Sequence, residues 1–379
     1  MPTALAATGS NSALAYVAEA VYGVTPTTPS MKFVRAKSGA KFDLKKDSFS
    51  SKEKSATRQV MGFTFGTRSG SGELPFELSY GSFDDFLEAT LGGTWTANVL
   101  KIGTTKRSFT FEEQWPDINL NEQNTGTVFT GLSLNVKPNA IVEGSFSHMF
   151  KDQASVQYAD DGVTTIAFAA TTMTRSAGSF ITDGFAIGDT VTVTGGSVVA
   201  NNKNIVITGL TATVMTASAA GFSVDAAKTG VTLCKTLGTP SAAGTNPVFD
   251  SFTGLAQVDG ATIAIVTGID LKVDQAGSAS NVLFDRTAQQ VSLGTVNVSG
   301  SLVVRFINNE VKKRFLNGTA TDISFTLGAT SKMYKFDMST CYLTSASTST
   351  DETELTQTLA FSAIYNAGDA STIMITRTP

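Results

Sequence analysis

Two segments of the chain combine the same hydrophobic pattern with the same order of predicted elements. Residues 71–91 and 299–316 each begin with Ser-Gly, continue with alternating apolar residues and end in a short amphipathic pattern that closes with Phe-Leu. Alternation with a period of two is typical of a strand with one buried face, and a period near 3.6 is typical of a helix. The pattern therefore predicts the same strand–turn–helix unit twice in one chain.

The residues around these units keep their spacing. Gly39 precedes Gly72 by 33 residues, and Gly268 precedes Gly300 by 32. An arginine and a Gly-Thr pair recur at the same distances before the second glycine, at Arg58 and 66–67 and at Arg286 and 294–295. So many matches in register indicate a duplicated domain. We place copy 1 at residues 31–151 and copy 2 at residues 251–379.

Each copy continues with strands after its helix. We match 107–113 with 333–339, 128–138 with 355–367 and 140–150 with 371–378, and we expect polar turns at 116–126 and 344–352. Each copy then consists of a hairpin, a strand, a helix and a β-meander. We further expect long polar loops at 45–58 and 275–286, because loops of this length in compact domains usually contact something.

The two predicted helices carry recognisable end signals. Ser82 and Asn308 are suitable N-caps, and Gly92 and Gly318 are suitable residues for ending a helix. Each helix has an apolar stripe that would cover one face of a sheet, formed in copy 1 by Phe83, Phe86, Leu87 and Leu91 and in copy 2 by Val311 and Phe315.

Two further regions differ in texture from the copies. Residues 152–250 have short alternating runs separated by turn signals, which predicts a small inserted all-β domain resembling a sandwich or barrel. Residues 1–30 are polar and of low complexity, and we expect them to form a flexible N-terminal arm. The predicted fold class is thus mainly β, with two tandem domains, one flanking helix each, and an insert.

Composition supports a β protein and narrows the functions. The 379 residues are 41% hydrophobic and only 16% charged, and the formal net charge is −4. A charge this small does not indicate a nucleic-acid or membrane-surface binder. The N-terminus lacks a signal-peptide pattern, and no apolar run reaches the length of a membrane helix. Cys234 and Cys341 favour free thiols, although a bond between them stays open.

Candidates for chemistry are few. The one histidine, His148, lies in a predicted strand, where we expect a surface or partly buried position, and it has no second histidine for a triad or metal site. Asp84, Asp85 and Glu88 occupy the first turns of a helix, where carboxylates favour the helix dipole. The Gly-rich stretch 66–73 is not followed by Lys-Ser/Thr or by a helix, unlike a phosphate loop. We therefore expect no enzyme, no cofactor and no metal.

Four stretches resemble the major tail tube proteins of long, non-contractile-tailed bacteriophages: 19–29, 35–44, 70–95 and 107–115. The specific part is their order: an arm with Tyr-Gly-x-x-Pro, a Ser-Gly strand, a Tyr-Gly turn and a helix ending in Gly-Gly. Phe86-Leu87 is a mild departure from the aliphatic residues of the family. The resemblance covers 19–150 directly and 262–379 through the repeat, but it does not cover the insert.

The resemblance implies a structural virion protein of a siphovirus-like tail. Each copy would form a β-sandwich or half-barrel, and strands of neighbouring domains would join into a barrel around a hollow lumen. Rings would stack into a tube that delivers double-stranded DNA without binding it specifically. A duplicated subunit implies three chains per ring with pseudo-sixfold symmetry, although six chains stay open. Tape-measure, tail-tip and tail-terminator proteins would be partners, and assembly would take place in the host cytoplasm.

The same resemblance places contacts between rings or subunits on the arm and the two long loops. The residues expected to make them are Tyr22, Lys45, Lys46, Lys52, Lys54, Arg58, Leu283, Phe284 and Arg286.

An alternative is a β-rich virion decoration or adhesin-type protein whose insert binds glycan. Glycan binding would require aromatic side chains in exposed loops, and the insert offers Tyr158, Phe168, Phe180, Phe185 and Phe222. A β-rich hydrolase would need a polar cluster that the sequence lacks. The ligand of the insert and the side chains that face a lumen are left open.

Overall fold

The protein is described by a computed structural model covering residues 6–54, 56–218, 221–263, 265–306, 310–328, 331–349 and 355–379. Within these residues it is mainly β, as expected, with two α-helices. The chain divides into two compact units. Unit 1 contains Met1–Val34, Phe109–Thr125 and Asp152–Ala243, and unit 2 contains Arg35–Ser108, Gly126–Lys151 and Gly244–Pro379.

The elements follow one another in chain order. They are β1 (Ala13–Glu19), β2 (Lys32–Phe33), β3 (Lys41–Ser50), β4 (Phe63–Glu77), α1 (Asp84–Leu91), β5 (Val99–Lys101), β6 (Ser108–Trp115), β7 (Leu120–Val136), β8 (Glu143–Phe150), β9 (Asp152–Ala154), β10 (Gln157–Tyr158), β11 (Ile166–Ala169), β12 (Thr172–Arg175), β13 (Thr190–Thr194), β14 (Asn204–Leu210), β15 (Val214–Ala217), β16 (Asp225–Lys228), β17 (Thr232–Thr236), β18 (Gly254–Val258), β19 (Ala261–Thr262), β20 (Val266–Asp274), β21 (Ser278–Ser280), β22 (Gln290–Ser292), β23 (Asn297–Arg305), α2 (Glu310–Asn317), β24 (Thr321–Leu327), β25 (Met333–Thr348), β26 (Thr356–Ala363) and β27 (Met374–Thr378).

Unit 2 is built on a continuous run of antiparallel strands. Their spatial order is β3-β4-β8-β7-β20-β23-β26-β25. The first four strands come from copy 1 and the last four from copy 2, and both sets have the same order. Both sets also contain a β-bulge at the same place in their last pair, between Phe129 and Gly131 in β7 and between Leu343 and Ser345 in β25. Because bulges are structural features that families retain, this match supports the duplication independently of sequence spacing.

The ladders correct our matching of the later strands. The order of the strands makes β25 the counterpart of β7 and β26 the counterpart of β8, so the matches of 107–113 with 333–339, 128–138 with 355–367 and 140–150 with 371–378 are wrong. The predicted turns are also wrong in part, since β7 begins at Leu120 and β25 continues to Thr348; residues 350–352 lie outside the described residues. The polar run 344–348 concealed a strand because an exposed Ser/Thr strand has no apolar alternation.

The Ser-Gly pair at the start of each unit has a steric explanation. A Cβ on Gly72 would lie 1.8 Å from the carbonyl oxygen of Lys41, and a Cβ on Gly300 would lie 2.2 Å from that of Asp270. In each copy, therefore, the backbone of the first strand lies so close to that of the paired second strand that a side chain cannot fit. Glycine at these two positions is a packing requirement of the duplicated domain.

Helix α1 packs its apolar stripe into unit 2 as predicted. Phe83, Phe86 and Leu87 are each 1% exposed, and the rings of Phe83 and Phe86 lie 6.2 and 5.8 Å from that of Phe146. Gly92 ends the helix with φ 63°. The N-cap is Phe83 rather than Ser82, whose hydroxyl instead accepts a hydrogen bond from Ser79.

Helix α2 is less buried than α1. Phe315 is half-buried and Leu316 is 68% exposed. Gly318 follows the helix with φ 61°, which agrees with its predicted role. The predicted N-cap Asn308 lies outside the described residues, and nothing is described of the Val311 side chain.

The predicted long loops are shorter than expected. Strand β3 extends to Ser50 and pairs with β4 up to Phe63, so the connection is 51–62 rather than 45–58. The segment 275–286 contains β21, which pairs with β22. In both places polar residues on an exposed hairpin hid the strand pattern.

Unit 1 contains a second antiparallel sheet, formed by β10 to β17 with the order β10-β17-β13-β14-β15-β12-β11-β16. Its apolar side chains form one core, with Phe180, Val191 and Leu233 at 0% exposure. Within the predicted arm, residues 13–19 form β1, and Leu14 to Val17 are buried. Strand β1 pairs with β2 and β6.

A buried carboxylate fixes the end of this sheet. Glu112 on β6 accepts hydrogen bonds from the Thr236 hydroxyl (3.0 Å) and the Leu237 backbone N–H (2.6 Å). Gln114 and Gln123 also donate to it. Burial raises the pKa of Glu112, and these hydrogen bonds act in the opposite direction. The carboxylate therefore anchors the chain where it leaves β17.

Candidate assembly interface

Copy 1 and copy 2 are joined by two ladders inside unit 2, a short one between β5 and β27 and a longer one between β7 and β20. β7 pairs with β20 over six residue pairs, including Leu134 opposite Leu271 and Leu132 opposite Val273. The backbone N–H of Gln275 extends the ladder by donating to the Thr130 carbonyl at 2.8 Å. We call this the intrachain ladder. It shows that the last strand of one copy and the first strand of another are complementary edges.

The two faces of the intrachain ladder differ in polarity. On one face Leu132, Leu134, Leu271 and Val273 are 1–3% exposed. On the other face Asp270 is exposed and accepts a hydrogen bond from the Asn135 side chain. Burial of each aliphatic side chain contributes roughly 1.5–3 kcal/mol. The apolar face supplies the strength of the junction, and the alternation fixes its register.

The two outer strands of the run have free edges in the described residues. β3 has a ladder only with β4, and Ser345–Thr348 of β25 are paired only with β26. Asp43 and Ser347 on these edges are exposed. Open edges of this kind pair readily with another strand. Sequence reasoning identified neither edge, because strand order depends on contacts between distant residues.

Two of the predicted contact residues lie on β3. Lys45 and Lys46 are exposed and paired with Ser69 and Arg68 of β4. Lys46 Nζ lies 3.7 Å from the centre of the Phe65 ring, a cation–π contact. These lysines are therefore part of a hairpin rather than of a loop.

The connection at the far end of this hairpin carries Lys52, Lys54 and Arg58, all exposed. Arg58 has φ 58°, an unusual backbone conformation for a residue with a side chain. Near them lie apolar side chains that the sequence analysis missed: Phe49, Val60, Met61, Phe63 and Phe65, which are 48–68% exposed. The aromatic residues on both sides of the charged run were the signal that could have identified them.

The second predicted loop brings its residues close to the first. Leu283 is 84% exposed and Phe284 is fully exposed with φ 68°. The carbonyl oxygen of Arg286 accepts a hydrogen bond from the backbone N–H of Arg68 at 2.7 Å. The β3–β4 hairpin and the 281–286 segment thus lie side by side in unit 2 and together present an exposed apolar and basic surface.

Tyr22 lies in unit 1, in the turn between β1 and β2. It is half-buried, and the neighbouring backbone N–H of Gly23 donates to Glu19 at 2.7 Å. Burial, assisted by the Glu19 carboxylate, raises the pKa of Tyr22 to about 12.

His148 is fully buried rather than on the surface, at 2% exposure on β8. Its ring lies 4.4 Å from that of Phe42, and neither ring nitrogen makes a hydrogen bond of ordinary geometry among the described residues. Burial lowers the pKa of His148 to about 4, although the Phe146 backbone acts slightly in the opposite direction. The imidazole is a neutral core group.

The described residues offer little for chemistry. No group of three His, Cys, Asp or Glu side chains among them could hold a metal ion. Cys234 and Cys341 are free and buried, and burial raises the pKa of each thiol to about 12. None of the described helices combines the length and apolar character of a membrane span.

Paired β-copies with complementary and open edges define a subunit of a structural assembly. The family model for phage tail tube proteins matches residues 9–203 and 206–363 of this chain, so the chain belongs to that family and the resemblance seen in the sequence is confirmed. No curated protein sequence matches the chain. Membership makes the chain a structural component of a phage tail that associates with itself into a tube.

Proposed function

We propose that the chain assembles into rings of three subunits with pseudo-sixfold symmetry, and that these rings stack into the hollow tube of a siphovirus-like tail. The observation that carries the proposal is the intrachain ladder, in which the edges of two equivalent copies already pair. A run that ends in the same two complementary edges adds further copies in the same way. Three two-copy chains then supply six positions.

The run of strands has an apolar face and a polar face, and this difference is the basis for assigning the lumen wall. α1 packs on the apolar face. The opposite face presents polar side chains such as Glu73, Ser133 and Lys272. We assign this polar face to the lumen. Its mixture of serine with charges of both signs provides no continuous basic surface, so double-stranded DNA passes during ejection without being held.

Stacking of rings is assigned to the predicted contact surface. The β3–β4 hairpin and the 281–286 segment expose large apolar side chains beside lysine and arginine. Apolar groups this exposed are typical of surfaces covered by another protein. Tyr22 and the turn that holds it are assigned to the same kind of contact. Tape-measure, tail-tip and tail-terminator proteins would meet the ends of the tube, which forms in the host cytoplasm.

The domain boundaries, with an arm at 1–30, copies at 31–151 and 251–379 and an insert at 152–250, stay part of this proposal. The glycan-binding alternative gains no support from the insert. Tyr158, Phe168, Phe180, Phe185 and Phe222 are all core residues with 0–6% exposure, and therefore they do not provide stacking surfaces.

Electron microscopy of the purified chain tests the proposed function. We expect tubes or stacked rings, and averaged rings should show six similar lobes built from three chains. Mass photometry of single rings gives the chain number independently. Monomers at every concentration would contradict the assembly role, and rings of six full-length chains would contradict the two-copy geometry.

A further inference from the structure

The first strands of the two copies can be aligned residue by residue. Phe42 on β3 lies opposite Gly72, and Leu271 on β20 lies opposite Gly300. Both glycines are the sites where a Cβ would strike the first strand. Phe42 is therefore the structural counterpart of Leu271.

The last strands can be aligned through their shared bulge. Phe129 lies opposite His148 and Leu343 lies opposite Phe361, and the bulge follows each of these pairs. Five residues after Phe129 is Leu134, and five residues after Leu343 is Thr348. Thr348 on β25 is therefore the counterpart of Leu134 on β7.

These two alignments transfer the intrachain ladder to the free edges. In the intrachain ladder Leu134 lies opposite Leu271. We propose, on the basis of the proposed ring, that β3 of one chain pairs antiparallel with β25 of a second copy with Phe42 opposite Thr348. The adjoining pairs are Lys41–Ser349, Asp43–Ser347, Leu44–Ala346 and Lys45–Ser345.

The side chains at the two edges fit this register. Leu44 and Ala346, both half-buried, fall on the apolar face with Phe42. Lys41, Asp43 and Lys45 are exposed on the polar face, where each meets a serine, so no like charges face each other. A slip by one residue would place apolar side chains opposite the polar face. Only even shifts compete with the proposed register.

This interchain ladder is weaker than the intrachain one. Phe42, Leu44, Ala346 and Thr348 replace the leucines and valine that fill the apolar face between β7 and β20. Alanine and threonine bury less apolar surface than leucine, and thus contribute less free energy. A ring that dissociates therefore separates between chains, and copy 1 and copy 2 of each chain stay paired.

Disulfide crosslinking in assembled tubes tests the register. Directly opposed residues of an antiparallel pair have Cα atoms about 4.5–5.5 Å apart, within the range of a disulfide. Diagonal neighbours two residues away are roughly 7–8 Å apart and cross-link poorly. We compare the double variant Asp43→Cys/Ser347→Cys with the shifted control Asp43→Cys/Ser345→Cys. Tubes are assembled under reducing conditions, oxidised, and run on non-reducing gels.

The expected result is bands of two and three chains, and none larger, from the Asp43→Cys/Ser347→Cys tubes. A mixture of the two single variants should give two-chain bands only, because each bond then joins different chains. The pair Lys45→Cys/Ser345→Cys, on the same exposed face, repeats the test if the first variant assembles poorly. The native thiols are buried and serve as a constant background.

Outcomes separate the register from the proposed function. Efficient crosslinking of the shifted control, or tubes in which neither in-register pair crosslinks, would overturn the register while tube formation stands. Bands up to six chains would support the register and contradict the three-chain ring. Failure of the unsubstituted chain to form any ring or tube would overturn the proposed function itself.

Discussion

Replacement of Gly300 by alanine tests the close approach of the first and second strands that both copies share. A Cβ there would lie 2.2 Å from the Asp270 carbonyl oxygen and 2.5 Å from the Phe361 ring. Because real Cβ contacts rarely fall below 3.0 Å, β20 must move by about 1 Å, and it carries the ladders with both β23 and β7. Overpacking of this kind costs about 1–3 kcal/mol. Alanine also lowers the conformational entropy of the unfolded chain, which offsets less than about 1 kcal/mol of this cost.

The net loss is expected to be about 2 kcal/mol, or a fall in Tm of about 4–8 °C for a unit of this size. The assay is thermal and denaturant unfolding of dilute, unassembled chain. Gly268→Ala is the matched control: it lies on the same strand, and its Cβ would meet Val303 at an ordinary 3.4 Å. Gly72→Ala, which would strike Lys41, should repeat the effect in copy 1.

The comparison has a clear negative outcome. If the Tm values of Gly300→Ala and Gly268→Ala lie within about 1 °C of each other, the two strands are not as close at Gly300 as the structure shows. The explanation of the Ser-Gly pair would then be wrong. A loss in Gly300→Ala without a loss in Gly72→Ala would contradict the equivalence of the two copies.

Three further predictions concern a buried base, a buried acid and the exposed segment. Acidification from pH 6.5 to about 4 should lower the free energy of unfolding by about 3 kcal/mol through His148, because the unfolded imidazole binds a proton in this range and the buried one does not. Unfolding of His148→Phe, which introduces the residue found at the equivalent Phe361, should lack this component, and an unchanged pH slope would refute it. Glu112→Ala should cost about 2–3 kcal/mol in denaturant unfolding, since it leaves buried donors without an acceptor, and Glu112→Gln should cost less; equal losses would contradict the anchoring role. Leu283→Ser/Phe284→Ser should leave the Tm of the unassembled chain unchanged and shorten the tubes seen by electron microscopy, and tubes of normal length would exclude this segment from ring stacking.

The sequence predicted features that depend on local spacing. Gly72 and Gly300 were found in register because each sits in a short alternating strand, and Gly92 and Gly318 end helices where expected. The N-cap was displaced by one residue, to Phe83, because Ser82 bonds with a neighbouring serine instead of the helix.

Features that depend on distant contacts could not be predicted. The Ser/Thr residues before Thr348 gave no strand signal, because their pairing with β26 depends on the residues of β26 and not only on their own pattern. Buried Leu14 and Val17 of β1 were hidden in a segment whose composition is mostly small and polar. The exposed Phe63 and Phe65 followed the same alternation as core residues, so the pattern alone could not show that they face outward.

The ladder between β7 and β20 also affects the kinetics of tube growth. Two copies in one polypeptide meet without diffusion, so the proposed ring of three chains closes after two bimolecular additions, whereas six separate copies would need five. Each avoided addition spares the assembly a free-energy cost of about 4–15 kcal/mol, which arises from the translational and rotational freedom that a chain loses on association. Nucleation consequently requires fewer chains, and growth begins at a lower protein concentration than for a single-copy subunit with the same edges.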